Sequence, residues 1–420
     1  MSLETHIAGV DDALVSPLHF SGSPNTASYV TERRNCSFAP QSGGVFGPGG
    51  VRLLRFNLAD QSGFLDGSTL RLAFELKNTH ASNSLTPISS SPACLFRRMR
   101  VIANGSAEIE DIDEYGRVFE IFHTMMPSAR RMNDVCETWS AAATAHTLSD
   151  AVNPQPLGPT KSRRVVCTLL SPFLNQGKYI PLNMVPVVLE LEVGEYDFAF
   201  TGTGNTWEIF RPRLIADVLS VENSLQNSYA KLMLDGRSLP IPMHGIYSVK
   251  AAITNGSYFS LPITRGFTRL STIYFTFIDD GSLKECTHYP HPALYGVADN
   301  DTSTDDFEFW VTIGADRYPQ FSVDSVQESW YRLRVASLIH QGTDSFAISA
   351  GQYRSDKFIA ALNLEKAPGS AGHSGVNTRG GSQMTLHFKN IDTSKASFVH
   401  VILHCDQVCS ASAAGVELLD

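Results

Sequence analysis

No run of 18 apolar residues occurs anywhere in this 420-residue chain, so no helical membrane span is expected. The opening residues, MSLETHIAGVDDALVSPLHF, lack a basic segment followed by an apolar run, so no secretory leader is expected either. Charge is scarce, with charged residues at 18%. That is below the usual quarter of a globular chain and leaves much of the surface neutral, as suits a protein that buries surface against other copies. Positive charge is the scarcer sign: 33 Lys and Arg against 42 Asp and Glu give a net charge of −9. A protein that coats phosphate backbones needs a basic patch or arm. The pairs Arg33-Arg34, Arg97-Arg98, Arg130-Arg131 and Arg163-Arg164 are scattered and read as solvated faces or contacts between subunits. Cysteine is sparse, at 7, without a framework spacing, and is read as reduced.

The signature motifs of several enzyme classes are also missing. There is no G-x-x-x-x-G-K-[ST] loop, no G-x-G-x-x-G after a strand, no H-E-x-x-H, no nucleophile elbow and no kinase set. What the chain has is 31 Gly and 21 Pro spread along its length, as the turns of an all-β protein require. It also has a pattern that occurs twice in outline. Arg52 to Asn78, RLLRFNLADQSGFLDGSTLRLAFELKN, holds two alternating strands around a Gly-containing turn. Ser257 to Asp279, SYFSLPITRGFTRLSTIYFTFID, repeats that outline in the other half. In the first copy Leu70, Leu72, Phe74 and Leu76 fall on one face, the mark of a strand with one buried side.

Residues 1–50 are expected to be an irregular N-terminal arm, since QSGGVFGPGG is too rich in Gly for a regular element. Residues 51–222 and 223–420 are expected to be two β-rich domains of similar size, the second carrying a C-terminal tail, with the bridge within Asp217 to Leu234. Leu95 to Ala103 reads as a strand closed by the hairpin dipeptide Asn104-Gly105. Asp111 to Thr124 has helical spacing, with Tyr115, Val118, Phe119 and Phe122 on one face. Ser325 to Ile339 occupies a similar place in the second half. Strand signals there include Phe346 to Ser349. No alternation of strand and crossover helix appears, so sandwiches are expected rather than a parallel sheet.

Three clusters have residue types that carry chemistry. Glu108, Glu110, Asp111, Asp113 and Glu114 offer carboxylates for acid–base work or a cation. Their place before the predicted helix favours a role complementing its dipole. Asp299, Asp301, Asp305 and Asp306 lack the turn Gly of a calcium loop and read as a solvated loop. His400, His404, Cys405 and Cys409 are zinc-ligand types, but they fall on a predicted strand with no second pair of ligands. Trp310 and Trp330 read as core or interface anchors rather than sugar platforms. No residue is assigned a catalytic, cofactor-binding or metal role, and no cofactor is expected.

Three segments resemble one family. FNLADQSGFLDGSTLRLAFELKN is similar to the first strand, turn and second strand of the double-jelly-roll major capsid proteins of double-stranded DNA viruses. LFRRMRVIANGSAEIEDIDEYG resembles the family's strand that ends in an Asn-Gly turn and leads into a helix. FIAALNLEKAPGSAGHSGVNTRGGSQMTLHFKN resembles a late segment of its second jelly roll. The resemblance implies an all-β fold of two consecutive eight-stranded jelly-roll sandwiches with short helices in the loops. It implies a non-enzymatic major capsid protein, assembled in the infected host cell and resident in the virion. Three copies would form a pseudo-hexagonal homotrimer that tiles an icosahedral shell. Partners implied are the chain itself and penton or minor capsid proteins, without sequence-specific nucleic acid; an inner membrane is left open. The loops Asn78 to Pro92, Asn133 to Ser162 and Lys284 to Asp306 become candidates for outer towers or trimer contacts. The alternatives are a carbohydrate-active or lectin-like β-sandwich protein, which would need two converging carboxylates, and a minor capsid or attachment protein.

Overall fold

Alternation at period two sets the sheets. The computed structural model describes residues 29–60, 63–127, 131, 139, 155–279, 281, 286–292, 307–337, 346, 348–367, 374–380, 383–412 and 415–419. The first half forms strands β1 (Val30–Phe38), β2 (Val45–Phe46), β3 (Leu53–Leu58), β4 (Gly63–Asn78), β5 (Phe96–Ala103), β6 (Ala107–Asp113), β7 (Ser162–Cys167), β8 (Ile180–Pro181), β9 (Val187–Val193) and β10 (Trp207–Val221). The second half forms β11 (Leu239–Ala252), β12 (Tyr258–Ile263), β13 (Leu270–Ile278), β14 (Glu308–Ile313), β15 (Asp316–Val323), β16 (Ala360–Asn363), β17 (Met384–Lys389), β18 (Phe398–Ser412) and β19 (Gly415–Leu419). Four helices in the described residues are α1 (Tyr115–Thr124), α2 (Asn223–Leu234), α3 (Val326–Ala336) and α4 (Ala350–Ser355).

Each half builds two antiparallel sheets. Their orders are β1-β10-β4-β7 and β3-β9-β5-β6 in the first half, and β11-β18-β13-β16 and β12-β17-β14-β15 in the second. Set aside the short or terminal additions β2, β8 and β19, and number the remaining eight strands of each half in chain order. Both halves then read 1-8-3-6 in one sheet and 2-7-4-5 in the other. That is the jelly-roll winding, completed twice. The helix after the fifth strand also recurs, as α1 after β6 and α3 after β15. The repeated strand pairs of the sequence are the second and third strands of each half. They belong to opposite sheets, so the turn between them crosses the sandwich.

Burial follows the pattern. In β3, Leu54, Phe56 and Leu58 are buried between exposed neighbours, and in β17 Met384, Leu386 and Phe388 are buried between half-buried ones. All nine residues of β13 are buried, because one face lines its own barrel and the other meets the first half. A strand covered on both sides reads as a continuous apolar run.

The structure corrects several expectations. Val30–Phe38, within the stretch expected to be an irregular arm, pairs with β10 along its whole length at the edge of the first barrel. Asp66 to Thr69 is not a turn between strands but a bulge inside the long β4. The Asp66 side chain accepts from the Ser68 hydroxyl at 2.6 Å, and Thr69 Oγ1 accepts from the Asp217 amide at 2.8 Å. Gly67 is required there: a Cβ would fall 1.5 Å from the Leu174 carbonyl oxygen. Asn104 and Gly105 both have positive φ (49° and 75°), as the expected hairpin turn demands. The first helix starts at Tyr115 rather than Asp111, because β6 runs to Asp113. The second keeps its place, with Ser325 accepting from the Glu328 amide as N-cap. Phe346 to Ser349 is not a strand where it is described; Ser349 instead caps α4.

Candidate assembly surfaces

Two barrels in one chain are useful as a unit only if they are held rigidly. The described structure shows how. Edge strand β6 of the first barrel lies against edge strand β11 of the second. Ser248 Oγ donates to the Asp113 carbonyl at 2.6 Å. Lys250 Nζ donates to Glu114 Oε1 at 3.2 Å. Arg117 Nε sits 3.5 Å from Glu114 Oε2, with its side chain 0% exposed and its guanidinium over the Phe198 ring. Phe122 of α1 meets Tyr274 of β13 edge-on at 5.4 Å. Burial works against the charge on Glu114, but Lys250 and Arg117 outweigh it and hold this carboxyl below its usual range.

The five-carboxylate cluster does not cap a helix. Glu108, Glu110, Asp111 and Asp113 lie on β6, and Glu114 stands at the helix start with φ 52° and no side-chain cap bond. The strand divides them. Asp111 turns to solvent and pairs with Arg98 at 2.7 Å. Glu110 points inward, accepting from Ser171 Oγ at 2.6 Å and from the Phe173 amide. Burial pushes the Glu110 carboxyl up to about 7, against those two hydrogen bonds.

That shift has a sign for stability. Below pH 4.5 the carboxyl is protonated in folded and unfolded chains alike. Between 4.5 and 7 the folded chain keeps a proton that the unfolded chain has released, so stability falls as pH rises, by up to about 3 kcal/mol. Glu110→Gln removes this fall. Relative to wild type, the variant is expected to gain urea stability between pH 5 and pH 8, because the buried His400, held neutral, contributes a rise of the opposite sign in both proteins; an unchanged pH slope would refute the assignment.

The His/Cys cluster is split by its strand. On β18, His400 turns toward the first barrel and is fully buried, with both ring nitrogens lacking a hydrogen-bond partner. Burial depresses its pKa to about 4; Glu114 opposes this, while Arg117 and Lys250 add to it. His404 lies on the same side, 5.3 Å from the His244 ring. Cys405 and Cys409 point the other way and are buried in the second barrel. Among the described residues no group of three or more His, Cys, Asp or Glu is placed to hold a metal. The Asp299 to Asp306 cluster, most of Asn133 to Ser162 and much of Lys284 to Asp306 lie outside the described residues.

Trp330 anchors α3, edge-on to Tyr353 at 4.7 Å. Trp310 stacks on His387 at 5.1 Å and 13°, beneath the Arg317 guanidinium. Of the scattered Arg pairs, Arg33 bonds Asp66 and Asp217, and Arg34 bonds Asp60. A groove of about 550 Å³ opens where the barrels adjoin, lined by Phe64, Tyr179, Leu225, Tyr229 and Ile241 among others and by no carboxylate. A cleft of about 310 Å³ on the outer face of β4 and β7 has a single carboxylate, Glu75, among Arg164, Arg211 and Arg213. Neither cavity brings together the carboxylate pair that glycoside hydrolysis uses.

Comparison with protein-family models and with curated proteins finds no match. Solved structures do match. The PBCV-1 virus capsid superposes with a TM-score of 0.60 at 12% identity, covering 93% of this chain and 97% of that one. The Sputnik virophage structure gives 0.59 at 9% identity, covering 96% and 92%. The Faustovirus major capsid protein gives 0.58 at 9% identity, covering 93% and 92%. The chain therefore has the double-jelly-roll fold found in these viral capsid proteins.

Proposed function

We propose that this protein is the major capsid protein of a double-stranded DNA virus and that it acts without catalysis. The observation that carries the reading is the completed duplication: two jelly rolls of the same strand order, fused through a buried junction. A shell needs a flat, stiff tile. Two barrels per chain and three chains per ring supply six similar sides, the pseudo-hexagonal outline that packs on an icosahedral facet. The likeness to capsid proteins over more than nine-tenths of the chain supports this reading.

On the same proposal the working units are residues 51–222, joined by β1 at their edge, and residues 223–420. The junction at α2 falls between β10 and β11. The protein resides in the virion, its main partner is itself, and penton or minor capsid proteins complete the shell. Its net charge of −9 suits a wall that faces nucleic acid without binding its sequence. Sedimentation of the purified protein tests the proposal. The expected species is a trimer of the 45.9 kDa chain, with sheets or shells in electron micrographs at higher concentration. A strict monomer at every concentration would overturn it.

A further inference from the structure

The cleft on the outer face of β4 and β7 gathers three cations and gives none of them an ion pair. Elsewhere on this barrel Arg33, Arg34, Arg52, Arg55, Arg98 and Arg100 each lie within ion-pair distance of a carboxylate. Arg164, Arg211 and Arg213 line the cleft and form no ion pair among the described residues. The one carboxylate beside them, Glu75, accepts from Ser162 Oγ at 2.5 Å. Like charges gathered in this way repel one another. They do so on a chain whose net charge is −9.

Register explains the gathering. On one side of β4, Glu75 pairs with Phe210 and Ala73 with Arg213; on the other side, Glu75 pairs with Arg164 and Ala73 with Val166. Arg211 and Pro212 of β10 therefore stand opposite the single residue Phe74, which makes a β-bulge. Phe74 and Pro212 are buried, and Arg211 is the extra residue left exposed on the outer face. Ala73 has only a methyl group, which leaves the cleft open between the longer side chains of its neighbours. Arg211 has φ 49°, in the left-handed region where glycine fits without strain and a larger residue does not. Its amide donates to the Gly44 carbonyl at 3.3 Å, which fixes the bulge. Glycine would hold the same backbone at lower cost, so this outlier points to a use for the side chain.

We propose that the cleft binds a small multivalent phosphate anion, of the pyrophosphate or polyphosphate class, with Arg164, Arg211 and Arg213 as its donors. Guanidinium groups bind phosphate through paired, charge-assisted hydrogen bonds. The cleft volume of about 310 Å³ lies at the small end of ligand sites, which suits a compact anion. The lining includes one ring, Phe74, which is 4% exposed, so a nucleotide base finds nothing there to stack on. The site does not depend on the capsid reading, because it lies within one chain.

Calorimetric titration of the full-length protein with pyrophosphate, at ionic strength held constant with sodium chloride, tests it. The expected result is one anion per chain, with a melting temperature that rises with pyrophosphate and not with the matched chloride. Arg211→Gly and Arg164→Gln are each expected to weaken binding by at least about tenfold. Glycine accepts the φ of position 211, so Arg211→Gly keeps the bulge and should melt close to wild type without ligand, which separates lost binding from lost fold. Lys231→Gln, exposed on α2, makes the same charge change away from the cleft and should bind as wild type does. Binding no stronger than the chloride control, unchanged affinity in both cleft variants, or an equal loss in Lys231→Gln would each overturn the proposal. Adenosine triphosphate or a short oligonucleotide binding more tightly than tripolyphosphate would overturn it too, since the cleft would then read more than phosphate.

Discussion

Glu114→Gln is expected to destabilise the protein by about 3–5 kcal/mol, the cost of leaving a buried charge without its counter-ion. Glu114 stands between two cations of different mobility. Lys250 is partly exposed, with 26% of its side chain accessible, and can turn its ammonium to water. Arg117 cannot, since its side chain is 0% exposed and sits over Phe198. Removing the carboxylate also leaves His400, already neutral, facing two positive charges. The loss is therefore expected at the junction. Hydrogen exchange along β6 and β11 should speed up before exchange in the barrel cores. Glu114→Gln combined with Arg117→Met should recover most of the stability, because the apolar side chain fills the site without a charge. A single variant within about 1 kcal/mol of wild type would show that Arg117 is neutralised by other groups.

The junction was poorly legible in the sequence, and the reason is physical. Glu108 to Glu114 precede a helical pattern, and an acidic run there reads as complementing the helix dipole. Whether such residues lie on the helix or on a strand before it depends on where β6 ends, and EIEDID shows no period-two alternation, because its two apolar residues, Ile109 and Ile112, stand three apart in a strand with a bulge at Ile109. Nothing in the sequence shows that Lys250, more than a hundred residues on, comes to face Glu114.

Strand β1 was hidden for a different reason. VTERRNCSF reads as polar, since it is an edge strand whose contacts with the core are confined to Cys36 and Phe38 at one end. Its charged side chains protect an exposed edge while also erasing the alternation by which strands are recognised. Conversely, strands with one buried face, such as β3, β4 and β17, were visible at once. The Asn104-Gly105 turn was as well, because positive φ at both positions selects those residue types. Strand β15, DRYPQFSV, and the four-residue β16 left no clear signal. The duplication was legible only in outline, because it is conserved in strand order and not in side chains.

Phe275→Ala is expected to cost about 3–5 kcal/mol and to act on the second barrel alone. Phe275 is fully buried on β13. It meets Phe309 of β14 edge-on at 4.8 Å and Phe388 of β17 at 5.2 Å, so one ring ties the two sheets of that barrel together. Phe277 adds a further edge-on contact at 6.0 Å. Truncation removes the transfer energy of the ring, leaves a cavity that twisted sheets cannot close, and breaks aromatic contacts of about 0.5–1.5 kcal/mol each beyond their area. Phe275→Leu should cost distinctly less, because it keeps most of the volume. The ring contacts of Phe275 lie within the second barrel, so that barrel is expected to open first in the alanine variant. The amides of β13, β14 and β17 should exchange first while β5 and β9 remain protected. Loss of protection in both barrels together would instead show that the buried junction makes them one cooperative unit. Either order is read from the same exchange experiment, and a cost below about 1 kcal/mol would show that this aromatic cluster is not the packed centre of the second barrel.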